Sequence, residues 1–235
     1  MMKKMSTKSF ALLFSSVLLL SACSQTAVIQ QGENAEVIGD NLHKVDNSGV
    51  KSAYVDPDVD FSQYRKVVIA PLDMSQVEII QPSQSRSYSK WELTDKDRKA
   101  FADSYMSQMN KHLVEKSSGE PYQIVDQPGD GVLVISAAVL AIAPSAPKDD
   151  ISSRGYSGRS RVFSEGAGAM SIAVLVTDGK TEKQLIEFVD NRESLSGVMR
   201  RNNSVTNLFD VNYLFSFWAR KLKSGLDELS HIADK

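Results

Sequence analysis

The run Ala169-Met170-Ser171-Ile172-Ala173-Val174-Leu175-Val176-Thr177-Asp178-Gly179, answered by Lys183-Gln184-Leu185-Ile186-Glu187-Phe188-Val189-Asp190-Asn191-Arg192, decides the fold class. Ala169–Thr177 is an apolar, β-branched stretch of strand length, Asp178-Gly179 is a hairpin signal, and Lys183–Arg192 is the partner strand. Leu185, Phe188 and Asp190 break clean alternation in that partner and leave its register open. A tight hairpin joins antiparallel neighbours, whereas parallel ones need a long crossover. The sheet is therefore expected to be mostly antiparallel.

Working outward, Val132–Ala143 reads as a long strand with small residues at Ala137, Ala138 and Ala141. Tyr122–Val125 and Lys66–Leu72 read as further strands, with a short edge strand at Val77–Ile80. Thr94 followed by Asp97 is a helix start, an acid three residues beyond a threonine cap. Phe101, Tyr105, Met109 and Leu113, with Ala102 and Met106, then give one apolar face, and Gly119 and Pro121 stop the helix. A second long helix follows from Leu208, Val211, Phe215, Trp218, Leu222, Leu226 and Leu229, spaced by three or four. The expectation is an α+β domain over residues 53–235, two-layered. A mostly antiparallel sheet of about five strands would carry two main helices packed on one face.

At the other end, Lys3, Lys4 and Lys8 precede an apolar run from Phe10 to Leu20, which leads to Ser21-Ala22-Cys23. The run is shorter than the roughly 17–25 residues that span a bilayer. It has the form of a secretory leader that ends in a cysteine, a lipoprotein signal over residues 1–22. Cys23 would carry diacylglycerol on sulfur and an N-acyl chain on the freed amine, with no other cofactor. Two or three chains anchor permanently where one holds marginally. By resemblance to enterobacterial lipoproteins, Ser24 in place of Asp implies the outer membrane, with the domain facing the periplasm. Residues 23–52 are polar and are expected to form the lipidated start and a flexible tether of roughly 30 Å.

Cys23 is the single cysteine, so its acylation leaves no thiol for a disulfide, for zinc or for catalysis. The chain has 27 Lys and Arg against 29 Asp and Glu; the leader takes three lysines with it, leaving 24 against 29, about −5. Such a balance excludes general nucleic-acid binding, which needs a basic footprint. His43, His112 and His231 have no partner at metal-ligand spacing, and His112 reads as a helix-surface or dipole residue. Asp56-Pro57-Asp58-Val59-Asp60 begins like a calcium loop, but Phe61 and Val67 stand where Gly and Glu are required, so it reads as a solvated acidic turn. There is no phosphate-binding glycine loop and no serine-nucleophile elbow. Acid pairs such as Asp149-Asp150 lie on a loop, unlike carboxylates set across a cleft. The reading is a non-enzyme.

Two features are candidate binding residues. Residues 144–167 read as a long loop in which Arg154, Arg159 and Arg161 surround Tyr156, a basic and aromatic segment on an acidic chain. It suits an anionic envelope component. The final helix adds Tyr213 and Phe217 to its core stripe, more aromatic surface than one buried face uses, which suits a protein partner.

Tyr54-Val55-Asp56-Pro57-Asp58-Val59-Asp60-Phe61-Ser62-Gln63-Tyr64-Arg65-Lys66-Val67 resembles the opening of the DUF3313 family of proteobacterial lipoproteins, and Phe217-Trp218-Ala219-Arg220 with Leu222 resembles its closing helix. The resemblance spans Tyr54 to Leu229 and implies location and architecture, with no catalytic residues. The function expected is an outer-membrane-anchored, non-enzymatic binding or accessory module for another envelope protein or component. The alternatives are a carrier or sensor of a small amphiphile or lipid, with a pocket between sheet and helices, and an envelope glycan or lipid hydrolase.

Overall fold

The computed structural model describes residues 26–81, 91–116, 119–144, 163–164, 168–194, 200–201 and 204–232. In chain order the strands are β1 (Val28–Ile29), β2 (Val37–Ile38), β3 (Leu42–Asp46), β4 (Ser52–Val55), β5 (Lys66–Ile69) and β6 (Glu78–Ile79). After helix α1 (Asp95–Leu113) come β7 (Gln123–Ile124), β8 (Val132–Ala143), β9 (Phe163–Ser164), β10 (Ala169–Asp178), β11 (Gln184–Glu193), β12 (Arg200–Arg201) and helix α2 (Ser204–Ile232). A short 3-10 turn at Phe61–Gln63 precedes β5.

The hairpin forms as its sequence dictates: β10 and β11 pair antiparallel, with Val174 opposite Phe188 and Ile172 opposite Asp190. Asp178 organises the turn. Its Oδ1 accepts the Lys180 and Thr181 amides at 3.0 and 2.7 Å, and its Oδ2 accepts the Tyr64 hydroxyl at 2.7 Å. Gly179 is required there by space, since a Cβ would stand 2.8 Å from the Val132 carbonyl oxygen.

The sheet is larger than expected, and mixed. Ten strands take part, along the path β1-β3-β4-β11-β10-β8-β5-β7, with β2 on β3 and β6 on β8. The expected mostly antiparallel sheet of about five strands is corrected in its size: most pairings are antiparallel, but parallel strands at the β5 side make the larger sheet mixed. Several strands are two residues long, too short for any periodicity to register. Between β5 and β7 the chain passes through α1, a crossover of the kind that permits parallel pairing, and β5 pairs parallel with both β7 and β8.

Residues 28–46, within the stretch expected to serve as a tether, form β1, β2 and β3 and are hydrogen-bonded into this sheet. The scattered Val28-Ile29 and Val37-Ile38 pairs are the strand segments that make the connection.

Both helices pack on one face, as expected. The Thr94 capping box is present, with Asp97 accepting the Thr94 amide at 2.9 Å. Phe101, Tyr105, Met109 and Leu113 of α1 are buried, as are Val211, Leu214, Phe215, Trp218, Leu222 and Leu226 of α2. Tyr105 and Phe215 meet edge to face at 5.7 Å, with Trp218 behind Phe215 at 5.9 Å. Leu208 departs from its expected core role and is exposed, one turn outside the contact between the helices. His112 stands in the last turn of α1, the place of a dipole residue, but is not on the surface: it is buried between the helices, bonded to Glu115 and to Ser216 of α2, both at 2.9 Å.

The opening motif turns out to be a set of fold ties. Phe61 and Tyr64 are core residues, and Asp60 caps the 3-10 turn through the Ser62 amide. Asp56, expected in a solvated turn, is 1% exposed. It accepts Asn41 Nδ2 at 2.7 Å and the Asp58 amide at 3.0 Å, and Lys183 Nζ lies 2.5 Å from its second oxygen. Burial pushes the Asp56 carboxyl up, but the bonds from Lys183, Asp58 and Asn41 outweigh it and hold it below the usual range. At Asp178 burial is likewise outweighed, by Tyr64, Thr181 and Lys180.

A carboxylate depressed in the folded state contributes stability above its unfolded pKa, and that contribution is lost as pH falls through the folded value. Urea unfolding is therefore expected to show stability dropping as pH is lowered from about 4, near the unfolded aspartate value. Asp178→Asn should be less stable at neutral pH and show a shallower acid limb.

Candidate functional site

The registers place Ile29 opposite Val45, Phe188 opposite Ala53, and Val174 opposite both Phe188 and Ala137. The β3–β4 register puts Lys44 opposite Tyr54, and the flanking Val45 and Ala53 line the same groove. These residues form a single apolar row across six strands, all on the helix-bearing face. Each helix is about 10–12 Å across and strands lie about 4.8 Å apart, so two helices cover roughly four strands. The β1–β3–β4 end of the row extends past α2. There the sheet and the helix diverge and leave a groove of about 380 Å³.

Its floor is Ile29, Val45, Ala53, Val55, Ile186 and Phe188, and its helical wall is Leu222, Gly225, Leu226 and Leu229. Polar groups sit at its ends. Thr26, Asn47, Ser48 and Lys221 gather where β1 begins and β3 ends, while Glu228 stands two turns further along α2, where it accepts the Ser224 hydroxyl at 3.2 Å. Lys221 lies against the 47–50 turn, with Nζ 2.5 Å from where a Cβ on Gly49 would stand. It makes no ion pair or hydrogen bond among the described residues.

Gly225 is unusual. Glycine inside a helix costs about 0.8–1.0 kcal/mol relative to alanine. Yet its φ is not positive, and an added Cβ would meet nothing within 4 Å. Neither backbone geometry nor packing requires it. It lines the groove.

The groove is fastened by Asp190, which is 2% exposed. Its carboxylate accepts the Lys51 amide at 3.0 Å, Trp218 Nε1 at 2.8 Å and Arg192 Nε at 3.1 Å. Arg192 in turn donates to the Gly49 carbonyl and lies over the Phe217 ring at 3.6 Å. Phe217, a candidate for a partner surface, is thus half-buried under a guanidinium, and Tyr213 is half-buried against the core. Cys23, Arg154, Tyr156, Arg159 and Arg161 lie outside the described residues. Lys221, Gly225, Asn47 and Ser48 were not singled out from the sequence; a glycine in the middle of the strongest amphipathic helix was the available signal.

A second cavity, also of about 380 Å³, is polar and lined by Arg65, Lys116, Glu120, Tyr122, Asp227 and His231. Its Asp227 carboxylate is already matched, because Lys223 donates to both oxygens at 2.6 and 2.7 Å. Burial pushes the Tyr122 hydroxyl up to about 12. Among the described residues no group of three His, Cys, Asp or Glu is placed to hold a metal ion.

A family model described as a protein of unknown function, DUF3313, matches residues 37–222. The chain belongs to the DUF3313 family. The match starts upstream of Tyr54 and takes in β2 and β3, in keeping with their place in the sheet. No curated protein matches the chain. Solved structures give distant likenesses. PelC from Paraburkholderia phytofirmans, described as a dodecamer, is 11% identical over 70% of this chain and 89% of its own, with a TM-score of 0.34. The protein XCC0632 from Xanthomonas campestris is 9% identical over 73% and 88%, at 0.40. A putative neuraminyllactose-binding hemagglutinin homolog from Helicobacter pylori is 12% identical over 73% and 91%, at 0.38. Likenesses at these scores carry no argument about what this family member binds.

If Gly225 serves the groove and not the helix, Gly225→Ala should raise stability by about 0.5–1 kcal/mol in urea unfolding. A loss of stability would mean that the glycine is needed for packing.

Proposed function

We propose that this DUF3313 member is a lipid-anchored, non-enzymatic binding module of the bacterial cell envelope, held at the periplasmic face of the outer membrane through acyl chains on Cys23. The observation that carries the binding part is the apolar groove between α2 and the β1–β3–β4 edge. It is shaped and lined as small-ligand sites are, mostly apolar with a few polar groups at its margins. Its two charged lining groups, Lys221 and Glu228, are seven residues apart on one helix, about 10 Å along its axis. General acid–base work needs groups within hydrogen-bond reach of one reacting centre. A hydrolase is therefore the least supported alternative, and the groove favours the amphiphile carrier as the second reading.

The anchoring part is supported by the leader and by Cys23, the single cysteine. Among the described residues no helix is long and apolar enough to cross a membrane. Thr26 lines the groove, three residues after Cys23. Three extended residues reach about 10 Å, so anchoring would hold the groove near the bilayer surface. Arg154, Tyr156, Arg159 and Arg161 would present a basic face to an anionic component of the same compartment.

Cys23→Ala is expected to move the protein from the outer-membrane fraction to the soluble periplasmic fraction and to abolish incorporation of labelled palmitate. Continued membrane fractionation with label would overturn the anchoring.

A further inference from the structure

The geometry points to a ligand for the groove: the single acyl chain of an anionic amphiphile, with its charged head at Lys221 and its tail running along Gly225 toward Leu229. This rests on the binding-module reading and supplies that module's ligand class.

Size comes first. A volume of about 380 Å³ lies near the lower end of the range of about 300–1,000 Å³ for small-ligand sites. It suits one chain and not the paired chains of a diacyl lipid. From Lys221 to Leu229 the helical wall runs eight residues, about 12 Å, so the space is elongated. Its sides along that length are Ala53, Phe188, Leu222, Gly225 and Leu229, which offer a tail dispersion contacts and no hydrogen-bonding demand.

Charge sets the direction. At one end Lys221 has no acidic partner among the described residues, and Asn47 lines the same end with an amide able to donate, while the Ser48 hydroxyl donates to the Val50 carbonyl at 3.4 Å. At the other end Glu228 would repel an anionic head. A carboxylate or phosphate monoester at the Lys221 end therefore fits, and the reverse orientation does not. Gly225 is the independent observation. It bears a helix-propensity cost with no backbone or packing reason, at the point where any larger side chain would enter the path of the tail.

The test uses the full mature chain carrying Cys23→Ala, titrated with cis-parinaric acid, whose fluorescence rises on entering an apolar site. Because this variant lacks the anchor and keeps the groove, loss of anchoring and loss of binding are read separately. Saturable binding at one site per chain is expected. Lys221→Gln should weaken it about tenfold, the scale of one charge-assisted hydrogen bond. A fatty alcohol of equal length should compete about tenfold less well than the acid. Gly225→Phe and, from the opposite wall, Ala53→Phe should each abolish binding. The thermal unfolding midpoint, measured in parallel, identifies a wall variant that has merely unfolded, and the other variant then decides. Non-saturable partitioning, undiminished binding in a folded wall variant, or equal competition by alcohol and acid would overturn the site.

Discussion

Two helices cannot cover a sheet whose main path is eight strands wide. That mismatch governs the molecule. The helix pair closes over β8, β10 and β11, where Tyr105, Phe215 and Trp218 meet Ile172, Val174 and Phe188. Past β11 the same apolar row continues through Ala53, Val45 and Ile29 without a helix above it. Exposing that row fully would forfeit roughly 25 cal/mol for every Å² of apolar surface left in water. The β1–β3–β4 edge and α2 instead line a narrow groove between them. The concavity is thus a consequence of counting strands against helices.

Buried carboxylates hold the arrangement. Asp190 ties β11, the Lys51 amide and the Trp218 indole to one side chain, and Asp56 ties Asn41 to Lys183 at the start of the hairpin's second strand. Leaving the buried Trp218 indole N–H without its acceptor would cost about 1–3 kcal/mol. With the single cysteine at position 23, the described domain has no disulfide, and these polar ties and the core serve in its place. The residues that carry the family resemblance, Asp56, Asp60, Phe61 and Tyr64, all belong to this framework. In this chain those residues hold the fold.

The sequence makes long elements legible and short ones obscure, for physical reasons. The ten-residue strands of the hairpin, the twelve-residue β8 and the capped helix α1 each bury a face over several periods, so their patterns stand out. Two-residue strands such as β1, β2 and β7 are defined by their neighbours, and no local pattern encodes them. The parallel pairings were missed because the hairpin signals speak only for the second half of the chain. Asp56 was misjudged because its partners, Asn41 and Lys183, are distant in sequence. The pocket between sheet and helices was foreseen as an alternative, but its lining was not, since over a third of it comes from the segment expected to be a tether.

The wall formed by residues 28–46 is tested most directly by amide hydrogen exchange. The Gln30 amide donates to the Lys44 carbonyl and the Lys44 amide to the Glu36 carbonyl, both at 2.9 Å. These amides should exchange many times more slowly than in an unfolded chain, together with those of β4. Exchange at free-chain rates across 28–46, with β8, β10 and β11 still protected, would contradict the account, because the groove would then have no outer wall.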